Sequence, residues 1–313
     1  MGCERAQKFI KAWALLVIKR VFIIGNGFDL HHGLPTRFED FRAFVLKRKP
    51  QLVVTAEKYL CGLRGNWSNL EEAFANFDED SLIDEASYFL KSCGDDDWSD
   101  SFHHDYQYEM NLVVKSVSSE LKAYFYEWLC SIETNEIDDS QKLHFNDDHS
   151  LFLNFNYTPV LQDFYSIEDD QILQIHGSIY DGEDGIVLGH GWSPQHRFSS
   201  GNDFTNMEDV RVLEGQEIIN GYFESTFKPT ADILSLNAEF FKRIAYTKTI
   251  HVLGHSLSMV DLPYFKAVAD ATSAGQPRWY VSYYSESEKR RHQQTMASLG
   301  VDEKTIEFQA LAQ

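Results

Sequence analysis

Val21-Phe22-Ile23-Ile24-Gly25-Asn26-Gly27-Phe28-Asp29 is the stretch whose reading decides the fold. Four apolar residues run straight into a Gly-x-Gly turn, the pattern of a buried parallel strand leaving its sheet through a tight loop. Glycines at a strand exit let the backbone approach a ligand, and N–H groups exposed there can hold phosphate oxygens. The turn continues through His31-His32-Gly33-Leu34-Pro35. Thr36, with Glu39 three residues later, reads as a capping box that opens a helix over 36–49. Strand, glycine turn and helix together open a nucleotide-binding α/β unit, although the spacing is not G-x-G-x-x-G.

Outward from that unit, the pattern changes twice. Pro50 interrupts the first helix. Residues 51–148 then show helical periodicity and no strand pattern. Phe102, Tyr106, Met110, Val113, Val117, Leu121, Tyr124 and Trp128 recur every three or four residues, which is the core stripe of a long amphipathic helix. From Leu151 onward short apolar strands alternate with helices: 151–155, 171–175, 186–188, 249–253, 279–283 and 305–308 read as strands. Thr158 reads as the N-cap of a helix with Pro159 in its first turn, 231–244 as a helix, Asp261 as the cap of another, and 192–229 as loops or a lid. Strand–helix alternation implies a doubly wound parallel sheet. The expected organisation is a Rossmann-like α/β domain from 17–50 plus 149–313, a helical insertion over 51–148, and an N-terminal extension over 1–16.

The net charge of −20 excludes a broad electrostatic grip on nucleic acid. That charge is localised: residues 71–150 hold 21 Asp and Glu against 4 Lys and Arg, so they carry −17 and the glycine-turn region is near neutral. The four cysteines (Cys3, Cys61, Cys93, Cys130) have no C-x-x-C or zinc spacing. They read as free thiols of a reducing cytosol, with no metal and no zinc expected. The longest apolar run, 12–18, is far below membrane-spanning length. A cytoplasmic protein with no membrane contact is the expectation.

Ligands of a doubly wound sheet bind at the carboxyl ends of its strands. Here those ends carry Gly25-Asn26-Gly27 with Asp29, Asn154-Phe155-Asn156, His176-Gly177, Gly189-His190-Gly191 and Gly254-His255-Ser256. Five such endings would converge on one crevice. Asn156, at a strand end before a helix, and His176, leaving a strand beside a glycine, are candidate site residues. Gly25, Asn26, Gly27, Asp29, Gly33, Thr158, His190, Gly254, His255 and Ser256 lie at or beside the same strand ends and are the further candidates for binding a ligand there. His31 and His32 read as solvated loop residues.

At these residues the chain resembles a known family. Ile24-Gly25-Asn26-Gly27-Phe28-Asp29-Leu30, Trp67-Ser68-Asn69-Leu70-Glu71, Asn154-Phe155-Asn156-Tyr157-Thr158, Ile175-His176-Gly177 and Gly254-His255-Ser256-Leu257 through Asp261 resemble the phage abortive-infection AbiH family. More distantly, the same positions are similar to the sirtuin NAD-binding core, whose Asn and His act at the nicotinamide ribose and whose glycine loop holds the pyrophosphate. By that resemblance Asn156 and His176 are catalytic, and NAD is the substrate. The zinc ribbon that follows the sirtuin His has no counterpart, since no cysteine lies after Cys130. Asp29 replaces a Ser, Thr158 replaces an Asp, and Arg37-Phe38 reverses the sirtuin order. Water is therefore the acceptor to expect in place of an acyl-lysine, and the activity implied is hydrolysis of the nicotinamide–ribose bond. Two alternatives stay open. One is a non-catalytic nucleotide sensor whose acidic block docks a defence partner. The other is a metal-dependent phosphoesterase built on Asp29, His176, His190 and His255. A homo-oligomer is compatible with either.

Overall fold

Arg20–Ile24 (β1) lies at the middle of a six-stranded sheet, in a computed structural model that describes residues 18–90, 102–134, 137–145, 149–195, 197 and 209–311. Ser150–Asn154 (β2), Ile172–Gln174 (β3), Thr249–Leu253 (β4), Arg278–Tyr283 (β5) and Ile306–Ala310 (β6) complete it. Every pairing is parallel, and the strand order is β3-β2-β1-β4-β5-β6. That order reverses between β1 and β4, the switch point of a Rossmann-type sheet, where the loops leaving neighbouring strands diverge. The expected α/β parallel fold is observed. The expected N-terminal extension, Cys3 and Cys93 lie outside the described residues.

One face of the sheet is aliphatic. Val21, Ile23, Leu151, Leu153, Ile250, Val252 and Val281 are buried there against Tyr264, Phe265 and Val268 of the helix Leu262–Thr272 and Met296 of the helix Glu286–Ser298. The two-residue period of each strand puts the alternate side chains on the opposite face. There Phe152, Phe22, His251 and Tyr280 form a stacked row across four strands, with ring centroids 4.8–5.1 Å apart. Burial pushes His251 down to about 4, so it stays neutral in this row.

The chain divides into two units. The first holds the whole sheet: Met1–Pro35, Ile132–Tyr180 and Thr230–Gln313. The second is helical: Thr36–Ser131 and Asp181–Pro229. The helical unit therefore starts earlier than residue 51, ends earlier than 148 and recruits a second segment. That segment, expected to be loops, contains the helix Val210–Ser225. It packs on Phe102–Lys115 through Gly215, where an added Cβ would come within 2.6 Å of the Tyr106 ring. Phe41, Trp67, Phe125 and Trp128 make the aromatic core.

Local differences from the expectations have simple causes. The box at the first helix uses Asp40, whose carboxylate accepts from the Arg37 N–H, so Thr36 and Glu39 are not its members. Pro50 does not merely break that helix. It starts the next one, Pro50–Tyr59, at a position where its missing N–H is not needed. The long stripe from Phe102 runs through a π-turn at Ser116–Glu120. Residues 186–188 form no strand, and only an isolated bridge joins His190 to Phe227. The helix expected over 231–244 is two, Thr230–Leu236 and Ala238–Arg243.

Candidate functional site

The glycine turn is locked against the loop leaving β4. The Gly25 N–H donates to the Leu253 carbonyl at 3.0 Å and the Gly27 N–H to the Gly254 carbonyl at 2.6 Å. A Cβ on Gly25 would lie 2.5 Å from the His255 Cα, and one on Gly254 would lie 2.2 Å from the Phe28 nitrogen. Gly254 also has φ +67°, a conformation that favours glycine. The three glycines let two loops interlock backbone to backbone at the switch point. This corrects one expectation: the N–H groups of Gly25 and Gly27 bond carbonyls of the fold, so they are not the phosphate donors. Asn26 remains exposed at this edge. Gly33, φ +75°, is also exposed and lies in the turn that ends the short helix Asn26–His31.

Beneath the turn Asp29 is 1% exposed. Its carboxylate accepts from Asn156 Nδ2 at 2.7 Å and from Thr158 Oγ1 at 2.6 Å. Thr158 therefore does not cap the following helix, where Pro159 holds the cap position. Asn156 Nδ2 also donates to the Gly25 carbonyl at 3.1 Å, and the Asn156 N–H donates to Asn154 Oδ1. Both hydrogens of the amide are thus used. What Asn156 has left to offer a ligand is Oδ1, an acceptor. Burial pushes Asp29 up to about 7, against the two hydrogen bonds that lower it.

The loop leaving β3 carries His176, 3% exposed, and the loop leaving β4 carries His255, 5% exposed. Both rings face one carboxylate. His176 Nε2 is 3.5 Å from Asp261 Oδ1, and His255 Nε2 is 3.5 Å from Asp261 Oδ2. Ser258 Oγ donates to Asp261 Oδ2 at 2.9 Å. His255 Nδ1 accepts the Leu257 N–H at 2.9 Å, in a turn where Leu257 has φ +54°. The Phe155 ring packs on both imidazoles, with centroids at 5.3 and 4.4 Å, and Tyr157 stacks on His176 at 6.3 Å. Phe155 and Tyr157, which flank Asn156 in the chain, touch His176, whereas the Asn156 amide turns to Gly25 and Asp29.

Asp261 does more than the helix cap that its sequence context predicts. It does hold the N-cap position of Leu262–Thr272, but its side chain makes no cap hydrogen bond and turns to the histidines instead. The signal available was its place at the end of a glycine-led loop, eight residues from β4. Ser256 is exposed on the same loop. His190 belongs to the helical unit. It is fully buried among Trp192, Phe223 and Phe227, bonds the Phe223 carbonyl through Nε2 at 3.2 Å, and is pushed down to about 4 by burial. His32, expected in solvent, is buried between the Phe28 carbonyl and the Tyr165 hydroxyl, both at 2.7 Å. Among the described residues no group of three or more His, Cys, Asp or Glu is arranged to hold a metal ion. No helix among them is long and apolar enough to cross a membrane.

A six-stranded parallel sheet in this order, with buried polar side chains gathered at its carboxyl edge, defines a Rossmann-like α/β protein with a helical insertion. The profile of the family described as bacteriophage abortive infection AbiH matches residues 21–283, which runs from β1 to the end of β5. The chain belongs to that family, and its role lies in abortive infection by bacteriophage. Comparison with curated proteins gives no match.

Proposed function

We propose that the protein hydrolyses the nicotinamide–ribose bond of NAD, and that loss of NAD halts an infected cell. The observation that carries this reading is the gathering of buried polar side chains, Asn156 with Asp29 and His176 and His255 with Asp261, on the loops leaving β1, β2, β3 and β4 at the carboxyl edge beside the switch point, where sheets of this order take dinucleotides. Hydrolysis breaks the bond between C1′ of the ribose and the nicotinamide nitrogen. Nicotinamide leaves neutral with the bonding pair, the water oxygen joins C1′, and one water proton must be taken up. His176 takes that proton. Asn156 offers Oδ1 as acceptor to a water or ribose hydroxyl and is held in that orientation by Asp29 and the Gly25 carbonyl. Proton uptake by a placed base is worth roughly 10²–10⁴-fold, and orientation of the reactants adds to it.

With the Gly25 and Gly27 N–H groups engaged in the fold, the exposed Asn26 and Ser256 are the polar groups nearest at hand for the pyrophosphate or a ribose. Purified protein incubated with NAD should release nicotinamide and ADP-ribose in equal amounts. His176→Ala should slow release by about 10²-fold or more, and Asn156→Ala should also slow it. Equal rates for wild type and His176→Ala would overturn the mechanism. Saturable NAD binding with no turnover would turn the reading to a nucleotide sensor.

A further inference from the structure

The Asn156 amide lies against two acceptors. Its Nδ2 is 3.1 Å from the Gly25 carbonyl and 2.7 Å from Asp29 Oδ1. A carbonyl cannot donate, so the end of the amide that faces Gly25 is the NH2 group and the flipped arrangement is excluded. The fold holds both acceptors in place. The Gly25 N–H is bound to the Leu253 carbonyl, and the Asp29 carbonyl receives the N–H groups of His32 and Leu34. The backbone about Asn156 is fixed as well, by its own N–H to Asn154 Oδ1 and by the Phe155 N–H to the Ile24 carbonyl at 2.9 Å. No described residue donates to Asn156 Oδ1. Nor is Oδ1 among the described polar atoms that are sealed without a partner, so it meets solvent at the edge.

We infer that Asp29 is a positioning residue whose carboxyl fixes Asn156 as a hydrogen-bond acceptor, so that the ligand group it meets is a donor, a sugar hydroxyl or a water. The inference rests on the reading of Asn156 as a residue of the site and names what orients it. The Gly25 carbonyl alone would hold one amide hydrogen and leave the side chain free to swing about that contact. Asp29 takes the second hydrogen and removes that freedom. Thr158 Oγ1, 2.6 Å from Asp29 Oδ2, holds the carboxyl from the other side. The arrangement does not depend on the charge of Asp29. When Asp29 is ionised, both oxygens accept. When it is protonated, the proton sits on Oδ2, the Thr158 hydroxyl turns to accept it, and Oδ1 still receives Asn156. A site built to accept from a hydroxyl discriminates against a ligand that lacks it, because the acceptor is then shut in unpaired.

The test uses the full chain labelled with ¹⁵N at asparagine, the Asn156 side-chain signal being assigned by its loss in Asn156→Ala. In the wild type its amide protons should exchange with solvent at least about tenfold more slowly than those of exposed asparagines, the factor one net hydrogen bond supplies. Asp29→Ala should speed that exchange by about tenfold. Asp29→Asn should leave it slow, because the new side chain can set its own Oδ1 against Asn156 and its NH2 group against the Thr158 hydroxyl. In turnover of NAD, Asp29→Ala should lower kcat about 100-fold with KM changed less, since misplacement of an orienting group acts on the reacting geometry. Asp29→Asn should restore most of that loss. If the carboxylate acted through its charge, Asp29→Asn would be as slow as Asp29→Ala. If its role were structural alone, Asp29→Ala would melt lower with kcat per folded molecule intact. Either result would overturn the inference, as would fast exchange of the Asn156 amide in the wild type. Should Asp29→Ala fail to fold, the wild-type exchange and the Asp29→Asn rates decide it. The exchange measurement needs no NAD, so a protein that releases no nicotinamide defeats the proposed reaction and leaves this result standing.

Discussion

Both units bury polar side chains, and they use them differently. In the helical unit several buried or half-buried polar groups tie one element to another. Lys228, fully buried, pairs with Glu71, Glu57 accepts from both Arg42 and Trp67 Nε1, and the Tyr222 hydroxyl donates to the Phe74 carbonyl. His190 sits among aromatic rings with its charge suppressed. At the carboxyl edge of the sheet, by contrast, two carboxylates each gather donors from loops far apart in the chain. Asp29 joins the turn after β1 to the loop after β2, and Asp261 joins the loops after β3 and β4. A paired charge inside a helical layer fixes packing. A shared acceptor at a strand edge fixes the orientation of side chains from separate loops.

The sharpest way to break this contrast is to remove one partner from each region. Glu71→Ala leaves a fully buried ammonium without its carboxylate and should cost about 3–5 kcal/mol in urea unfolding. A loss under about 1 kcal/mol would show that Lys228 does not depend on that pair. His190 and His176, two of the histidines beside a glycine, should then separate cleanly. His190→Ala should destabilise by about 2–3 kcal/mol through the cavity it leaves, with turnover per folded molecule unchanged. His176→Ala, which also empties a buried site, should lower the melting temperature too, and in addition should lose turnover per folded molecule. If both variants lost only stability, the edge would be no more than another packed interior.

The contrast also explains what could be read in the chain. The strands were legible because a run such as Val21–Ile24, buried on both faces, has no other reading beside a glycine turn. The strand ends then pointed to Asn156, His176 and His255 together, since a parallel sheet sends all its exits to one edge. His190 had the same local signature, a histidine beside glycine after three apolar residues, and it landed in the helical unit. Nothing in the local pattern distinguishes a strand from the extended entry to an isolated bridge. The reach of the helical unit over 181–229 was hidden for a related reason. Its helix Val210–Ser225 meets its neighbour through Gly215, a small contact residue that weakens the apolar period used to recognise helices. Asp261 holds the N-cap position expected of it but turns its side chain to two histidines, and Thr158 leaves the cap position to Pro159 and bonds Asp29, because the residue types that cap helices also bond across loops. Which role a given Asp or Thr takes depends on what a distant loop brings to it. Gly25, Gly27 and Gly254 were singled out for closeness to a ligand, and the closeness is to one another.

The smallest effect is a slope, and its sign separates the two regions. Asp29 has its folded pKa raised from 3.8 to about 7. The folded chain holds that proton after the unfolded chain has released it. Its contribution to stability is therefore complete below pH 3.8 and is lost as pH rises to about 7. His190 has its folded pKa lowered from 6.5 to about 4, so its contribution is complete above 6.5 and is lost as pH falls toward 4. His251 behaves in the same way. Each group can contribute up to about 1.4 kcal/mol per pH unit, and between pH 4 and 6.5 Asp29 opposes the two histidines. Removing Asp29's titration with Asp29→Asn should leave the histidines unopposed, so that stability of the variant rises more steeply with pH across that window than stability of the wild type does. His190→Gln should flatten the same curve. Urea midpoints taken every half pH unit from 4 to 8 read both slopes. Parallel wild-type and Asp29→Asn curves would mean that Asp29 is ionised throughout the range, held by Asn156 and Thr158 more firmly than burial opposes it. The carboxyl edge would then carry a fixed negative charge under the glycine turn, and a cationic nicotinamide ring would be drawn toward it.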